Sequence, residues 1–264
     1  MGSEDWSWVD DDSGWVPPPV DTSVPSAARI YDYALGGKDN YPVDRAVAER
    51  IWAVIPDGHH VARANRQFLI EAVEAMAHAG IRQFIDLGAG IPTSPNVHET
   101  ARAIQPESAV VYVDNDPLVL AHNRALLHAD PRTVVLSHDM REPSAVLDDP
   151  TTRRLVDFDQ PIGLLMIAVL HFVDVAVAPH VVERYLSELP AGSHVAITAV
   201  TSHGVEPPVL ARTLAAYEQV SSRLIFRTHA EIDALFGELA LVQPIGDVYR
   251  SPNMAILGGL ARKP

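Results

Sequence analysis

Phe84-Ile85-Asp86-Leu87-Gly88-Ala89-Gly90 is an apolar run that meets an acid and then a Gly-x-Gly turn. With Ile81 ahead of it and a second apolar run starting at Ala109, it reads as a buried strand that feeds a tight turn and then a helix. Glycine accepts the left-handed backbone of such a turn and lets main chain approach a ligand closely, and a helix starting there offers unpaired N–H groups. Asp86, Gly88, Ala89 and Gly90 are therefore the first candidate ligand-binding residues.

Downstream of this segment, short apolar runs alternate with helical spacing. The runs are Ala109 to Asp114, Thr133 to Asp139, Pro161 to Leu170, His194 to Thr201, Leu239 to Ile245 and Met254 to Ala261. Asp116 to His128 and Ala178 to Leu189 carry apolar residues at spacings of three and four. Continuous apolar strands alternating with helices imply an α/β domain, residues 81 to 264, with a largely parallel sheet covered on both faces. Upstream, Ser26 is a plausible N-cap for a helix closed by Gly36-Gly37, and Val43 to Val54 and His59 to Ala79 continue the helical pattern. Residues 26 to 80 thus form a helical segment outside the sheet pattern, expected to serve as an N-terminal cap or lid.

Residues 1 to 25 hold six of the 34 acidic residues, no Lys or Arg, and the run Pro17-Pro18-Pro19, a composition that reads as a disordered tail. Trp6, Trp8 and Trp15 are the anomaly in it, and a docking role for them stays open. A hydrophobic content of 47% supports a substantial core, while the lack of cysteine excludes disulfides, thiol nucleophiles and Cys-ligated zinc and suits a cytoplasmic setting. The net charge of −14 disfavours nucleic acid. No apolar stretch is long enough to span a membrane, and the acidic start lacks the pattern of a signal peptide.

The second strand ends in Asp114, 24 residues beyond Gly90, where a carboxylate can grip ribose hydroxyls, with Asn115 beside it. A helix-starting role suits Asp116, which precedes Pro117, better than Asp114. Asp139, past the third strand, is placed to accept from an adenine amino group, with Met140 packing on the ring; an ordinary loop acid is the alternative. Ligands of open α/β sheets lie beyond the carboxyl ends of the strands, so these residues and the segment Ala168 to Phe172 should share one crevice. Lined by carboxylates and without a phosphate-binding Lys or Arg in its turn, that crevice fits a cationic sulfonium nucleoside better than a pyrophosphate. A nicotinamide cofactor is disfavoured because Thr93 stands where the third glycine of Gly-x-Gly-x-x-Gly would be.

Other chemistries find no support. Gly36-Gly37-Lys38 lacks the first glycine and the Ser or Thr of a phosphate loop, since Asp32 and Asp39 occupy those positions. The twelve histidines show no metal-ligand spacing, and no Gly-x-Ser-x-Gly elbow occurs.

Together IDLGAG, VVYVDNDP, HDMREP and the strand ending in AVLHF resemble the successive motifs of class I S-adenosylmethionine-dependent methyltransferases. More narrowly, ARIYDYALGGKDNYPVDR, ARANRQFL, GIRQFIDLGAGIPTSPNVHE and VVYVDNDPLVLAHNRALL resemble the actinobacterial S-adenosyl methyltransferase family, formerly a domain of unknown function. The resemblance runs from about Pro25 to the C-terminus. It implies a Rossmann-like sheet of seven strands with the last antiparallel, and S-adenosylmethionine held by Asp86, Gly88 and Gly90 with Asp114 on the ribose. It also implies that YDYALGGKDN lies over the cofactor pocket.

Aromatics, glycines and both signs of charge in that segment suit a lid, in which Lys38 or Arg29 meets the methionine carboxylate and Tyr31 or Tyr33 packs near the reactive methyl. In the plainer reading the tyrosines anchor the helix and the charges face water. His171, after the fourth strand, is the candidate general base, against a role as a hydrogen-bonded core residue. The expected activity is methyl transfer to O, N or C of a small-molecule acceptor, with specialised metabolism as the expected setting; a non-catalytic cofactor-binding regulator and a nicotinamide oxidoreductase are the rivals.

Overall fold

The computed structural model describes residues 20–127 and 130–264. Residues 1 to 19, which include the three tail tryptophans, lie outside it.

Three helices come first: α1 (Ala27–Leu35), α2 (Pro42–Trp52) and α3 (Gly58–His78). Gly36 closes α1 in the left-handed region at φ 88°, and α2 opens with Pro42 behind a capping box of Tyr41 and Asp44. Strand–helix alternation follows: β1 (Gln83–Leu87), α4 (Val97–Ile104), β2 (Ala109–Asp114), α5 (Pro117–Leu127), β3 (Thr133–Ser137), α6 (Pro143–Leu147), α7 (Pro150–Leu155), β4 (Gly163–Met166), α8 (Ala178–Glu188) and β5 (His194–Val200). The chain ends with α9 (Pro207–Tyr217), α10 (His229–Asp233), β6 (Ala240–Arg250) and β7 (Ala255–Arg262).

The seven strands form one sheet in the order β3-β2-β1-β4-β5-β7-β6. β1 to β5 pair in parallel, while β7 runs antiparallel to both β5 and β6. The expected seven-stranded α/β sheet with its last strand reversed is therefore what the chain adopts. β1, β4 and β5 are buried along their whole length, as continuous apolar runs require when both faces are covered. β6 extends to Arg250, beyond the run read from the sequence. It is an exposed edge strand whose register shifts three times, which accommodates Pro244 and Gly246.

One core layer joins Ile85, Val111, Leu164 and Ile197 to Val181, Tyr185 and Phe236. The opposite layer joins Phe84, Val110, Leu165 and Ala196 to Phe68, Leu69, Val73 and Met76 of α3. The stretch 26–80 divides accordingly: most of α3 covers a sheet face, while Ile30 of α1 and Val47, Ala48 and Ile51 of α2 pack with Val200, Met254 and Ile256 at the ends of β5 and β7. Ties hold this entry in place. The Ser26 hydroxyl bonds to the Asp116 carboxylate, Asp44 accepts from the Ser26 N–H at 2.9 Å, and the Pro25 carbonyl accepts from the Ser221 N–H at 3.0 Å. No helix among the described residues is long and apolar enough to cross a membrane.

Candidate active site

A cavity of about 810 Å³ opens beyond the carboxyl ends of the strands. Asp86, Gly88, Ala89, Gly90, Asp114, Asn115, Asp139, Met140, Ala168 and His171 all line it, as do Arg29 and Tyr31 of α1. The topology rule that ligands sit at the reversal of strand order accounts for the placement, since β1 and β4 flank that point.

The turn after β1 is tighter than the sequence suggested. Gly88 and Gly90 have φ of 76° and 66°, and a Cβ on Gly88 would stand 2.6 Å from Val169 Cγ2, so only glycine fits there. The N–H groups of Gly88 and Ala89 both donate to the Val113 carbonyl, at 2.8 and 3.1 Å, and Gly90 N–H donates to Asp114 Oδ2 at 2.9 Å. The expected free N–H groups are thus spent on joining the β1 and β2 ends. Nor does a helix begin at the turn: α4 starts at Val97, and its N-terminus is closed by the Asn96–Glu99 capping box. What the turn offers a ligand is a backbone without side chains in the way.

Asp114 is held by two N–H donors, from Gly90 and from Asp116 at 2.9 Å each, which fix the carboxylate at the cavity wall. Burial pushes its pKa up to about 6 despite those bonds. Asp86, only 4% exposed, receives no hydrogen bond from another described side chain or N–H. Burial raises it to about 7; the Arg66 guanidinium opposes that rise and the neighbouring Asp114 adds to it. Asp139 is engaged by Arg141, whose Nε lies 2.9 and 3.0 Å from its two oxygens, and that pairing holds its pKa below the usual range. Met140 is buried in the sheet core, with its carbonyl accepting from the Tyr185 hydroxyl at 3.0 Å.

Arg29 is placed at the cavity but is not available to a carboxylate ligand. It is 3% exposed, its Nε lies 3.3 Å from Asp44, and its Nη atoms donate to the carbonyls of Asp21 and Val24. Two other residues expected at the pocket are not on its wall. Lys38 is exposed on the turn after α1, and Tyr33 stacks on Trp52 at 5.1 Å between centroids and donates its hydroxyl to Glu49. The GGKDN part of the supposed lid is instead a knot: buried Asp32 accepts from Asp39 N–H and Asn40 Nδ2, and a Cβ on Gly37 would collide with its carboxylate at 1.9 Å. Val20, Asp21 and Val24, which composition groups with the tail, also line the cavity.

Two lining residues of α3, Asn65 and Arg66, gave no signal in the sequence. Arg66, on the first turns of α3, donates to the carbonyls of Thr93 and Pro95, leaving Nε buried without a partner. Tyr31, Asn65 and Thr198 form a buried chain. Thr198 donates to Asn65 at 2.7 Å, Asn65 to the Tyr31 hydroxyl at 3.0 Å and Tyr31 to the Ala62 carbonyl at 3.0 Å. Thr198 also accepts the N–H of Ala168, whose φ of 55° is the left-handed bend that takes the chain off β4. Helix spacing hides such residues, because a polar side chain on an amphipathic face reads as solvent-facing until the helix is docked.

His171 sits in a 3-10 turn, Leu170–Phe172, just past that bend. It is 6% exposed, its Nδ1 is buried without a hydrogen bond, and burial together with the Arg227 charge pushes its pKa down to about 3. Arg227 is itself buried and clamps the turn by donating to the Leu170 and Val173 carbonyls at 2.9 and 2.6 Å. A ring so weakly basic stays neutral at physiological pH, which favours a hydrogen-bonding role over that of a general base. Among the described residues no cluster of His, Asp and Glu is suited to a metal.

The sequence profile of the S-adenosyl methyltransferase family matches residues 13–250. The chain belongs to that family. It is accordingly an S-adenosylmethionine-dependent methyltransferase. Two solved structures are similar over nearly the whole methyltransferase. A DUF574 family protein from Streptomyces avermitilis has 40% identity and a TM-score of 0.88, covering 93% of this chain and 100% of its own. A Thermobifida fusca protein provisionally named a methyltransferase has 37% identity and a TM-score of 0.85, covering 95% and 99%. An O-methyltransferase family protein from Burkholderia thailandensis shares the fold alone, at 16% identity and a TM-score of 0.50 over 88% of this chain and 64% of its own. No curated protein matches the sequence.

The cavity suits the family's cofactor. Asp86, which receives no hydrogen bond from another described residue, and the incompletely bonded Arg66 offer a carboxyl and a guanidinium that complement an amino acid's ammonium and carboxylate, and the braced Asp114 complements a diol.

Proposed function

We propose that this methyltransferase moves a methyl group to an oxygen, nitrogen or carbon of a small-molecule acceptor in specialised metabolism, within the cytoplasm. The observation that carries the reading is one continuous cavity with two linings. Carboxylates of the β1, β2 and β3 ends stand on one side, and the apolar residues of α1, α2, β5 and β7 on the other. When bound, S-adenosylmethionine supplies an electrophilic methyl carried by a cationic sulfur. A concave cavity of this size suits a small molecule, and the charge of −14 disfavours nucleic acid in particular.

In this reading Asp114 accepts the ribose hydroxyls, Asp86 the ammonium, and Arg66 takes the carboxylate role first expected of Arg29 or Lys38. Gly88 keeps the wall clear. Asp139 and Asn115 flank the adenine end, with Met140 beneath. Tyr31, through Asn65 and Thr198, fixes the bend at Ala168 and so the approach of the acceptor. Alignment of two bound reactants supplies much of the rate in such displacements, so a strong base is not required. Neutral His171 holds the acceptor by a hydrogen bond.

Calorimetry with S-adenosylhomocysteine tests the cofactor half, and transfer of labelled methyl across a panel of small acceptors tests the activity. Tight binding with no transfer to any acceptor would favour the non-catalytic regulator. His171→Ala is expected to lower turnover by roughly tenfold or less, without shifting the pH profile between 6 and 8. A profile that moved with the substitution would restore the general base.

A further inference from the structure

The cavity divides along the sheet. Over β3, β2 and β1 its wall carries Asp86, Asp114, Asp116, Asp139 and Arg66. Beyond β4, over β5 and β7, the lining changes to Ile30, Ile51, Ile55, Val200, Met254 and Ile256, all buried members of a cluster separate from the two sheet cores.

Flat groups complete this second chamber. Trp52, Phe172 and Tyr217 line it, Phe172 and Tyr217 being stacked with centroids 6.2 Å apart. Its polar atoms are few. The Thr213 hydroxyl is spent on the Val209 carbonyl at 2.9 Å, burial raises the Tyr217 hydroxyl far above its usual pKa, and His171 is uncharged. Ser221, Ser222 and the exposed Arg223 stand at the rim, where water screens them. A buried charge without a partner is expensive, whereas flat apolar groups gain both burial and ring contacts.

We propose that this chamber selects a neutral, largely apolar acceptor with an aromatic or similarly flat body, and that Tyr217 and His171 supply its hydrogen bonds. The assignment rests on the reading that the polar half holds the cofactor. At about 810 Å³ the whole cavity lies high in the range of roughly 300–1,000 Å³ typical of a single drug-sized ligand, which leaves space for a modest second molecule beside a nucleoside. His171 follows β4 and so stands at the boundary between the halves, where acceptor and methyl would meet.

The experiment is a calorimetric titration of the full chain with three probes of one shape near neutral pH: 2-naphthol, 2-naphthoate and 2-naphthylmethylammonium. It is run with and without saturating S-adenosylhomocysteine. Naphthol is expected to bind at least tenfold more tightly than either ion in both states. Ile51→Glu, and independently Val61→Glu at a half-buried α3 residue that lines the cavity beside the same apolar cluster, should abolish naphthol binding while leaving S-adenosylhomocysteine affinity within twofold, which also certifies the fold of each variant. Equal or tighter binding of an ion, or no binding of naphthol, overturns the proposal. Failure of S-adenosylhomocysteine to bind overturns the cofactor assignment instead, and the ranking on the bare protein still judges the chamber.

Discussion

The two halves of the cavity are built by opposite strategies. The polar half comes from consecutive strand ends, each acid placed by its own strand, so that a short local motif sets the chemistry. The apolar half is assembled from α1, α2, α9, β5 and β7, whose residues meet only after the whole chain has folded. On the proposed assignment, cofactor recognition can persist while acceptor preference drifts, because the two depend on different segments.

The sharpest way to break this contrast is at Asp114. Replacing it by Ala removes an acceptor and the brace on the Gly90 N–H, and calorimetry should show S-adenosylhomocysteine affinity lowered by about 100-fold, near 3 kcal/mol. Asp139→Ala should cost far less, since that carboxylate already belongs to Arg141. Equal losses would mean that the polar half is not organised around Asp114.

Acid should weaken the same half progressively. On the proposed assignment, ligand binding requires ionised carboxylates, and burial has lifted Asp86 to about 7 and Asp114 to about 6. Affinity should fall by roughly tenfold per unit below pH 7, and more steeply below 6. Stability of the bare protein carries the opposite sign. Folded Asp86 binds its proton more tightly than the unfolded carboxyl does, so its penalty is greatest above pH 7 and vanishes toward pH 4. Asp86→Asn should therefore raise the thermal midpoint at pH 8, with the gain shrinking as the pH drops toward 5. A constant gain would assign another cause.

A smaller effect separates the candidate cations. Arg66→Gln should cost roughly tenfold in S-adenosylhomocysteine affinity, in line with one charge-assisted hydrogen bond. Least of all, Lys38→Ala and Tyr33→Phe should leave affinity and turnover within twofold. A large loss in either would return the turn after α1 to the site.

The fold was legible because β1, β2, β4 and β5 are unbroken apolar runs, and those are what a sheet covered on both faces demands. Asp86, Gly88 and Asp114 were legible because strand, turn and acid follow one another within about two dozen residues. Asn65, Arg66 and Thr198 were not, since their meaning depends on how α3 docks against β5. Lys38 misled because charge beside glycine looks functional, whereas Asp32, Gly37 and Asn40 use that composition to tie off a helix. His171 does line the cavity, but its weak basicity was not legible, because its burial and the nearby Arg227 charge are tertiary facts.

Val20 stands on the cavity wall, whereas Lys263 pairs with Ser193 at the far end of the sheet, where β5 begins. A fluorophore attached at Asp21, exposed on that wall, would consequently report the arrival of a ligand. The same label at Arg262, exposed where β5 begins, would stay silent.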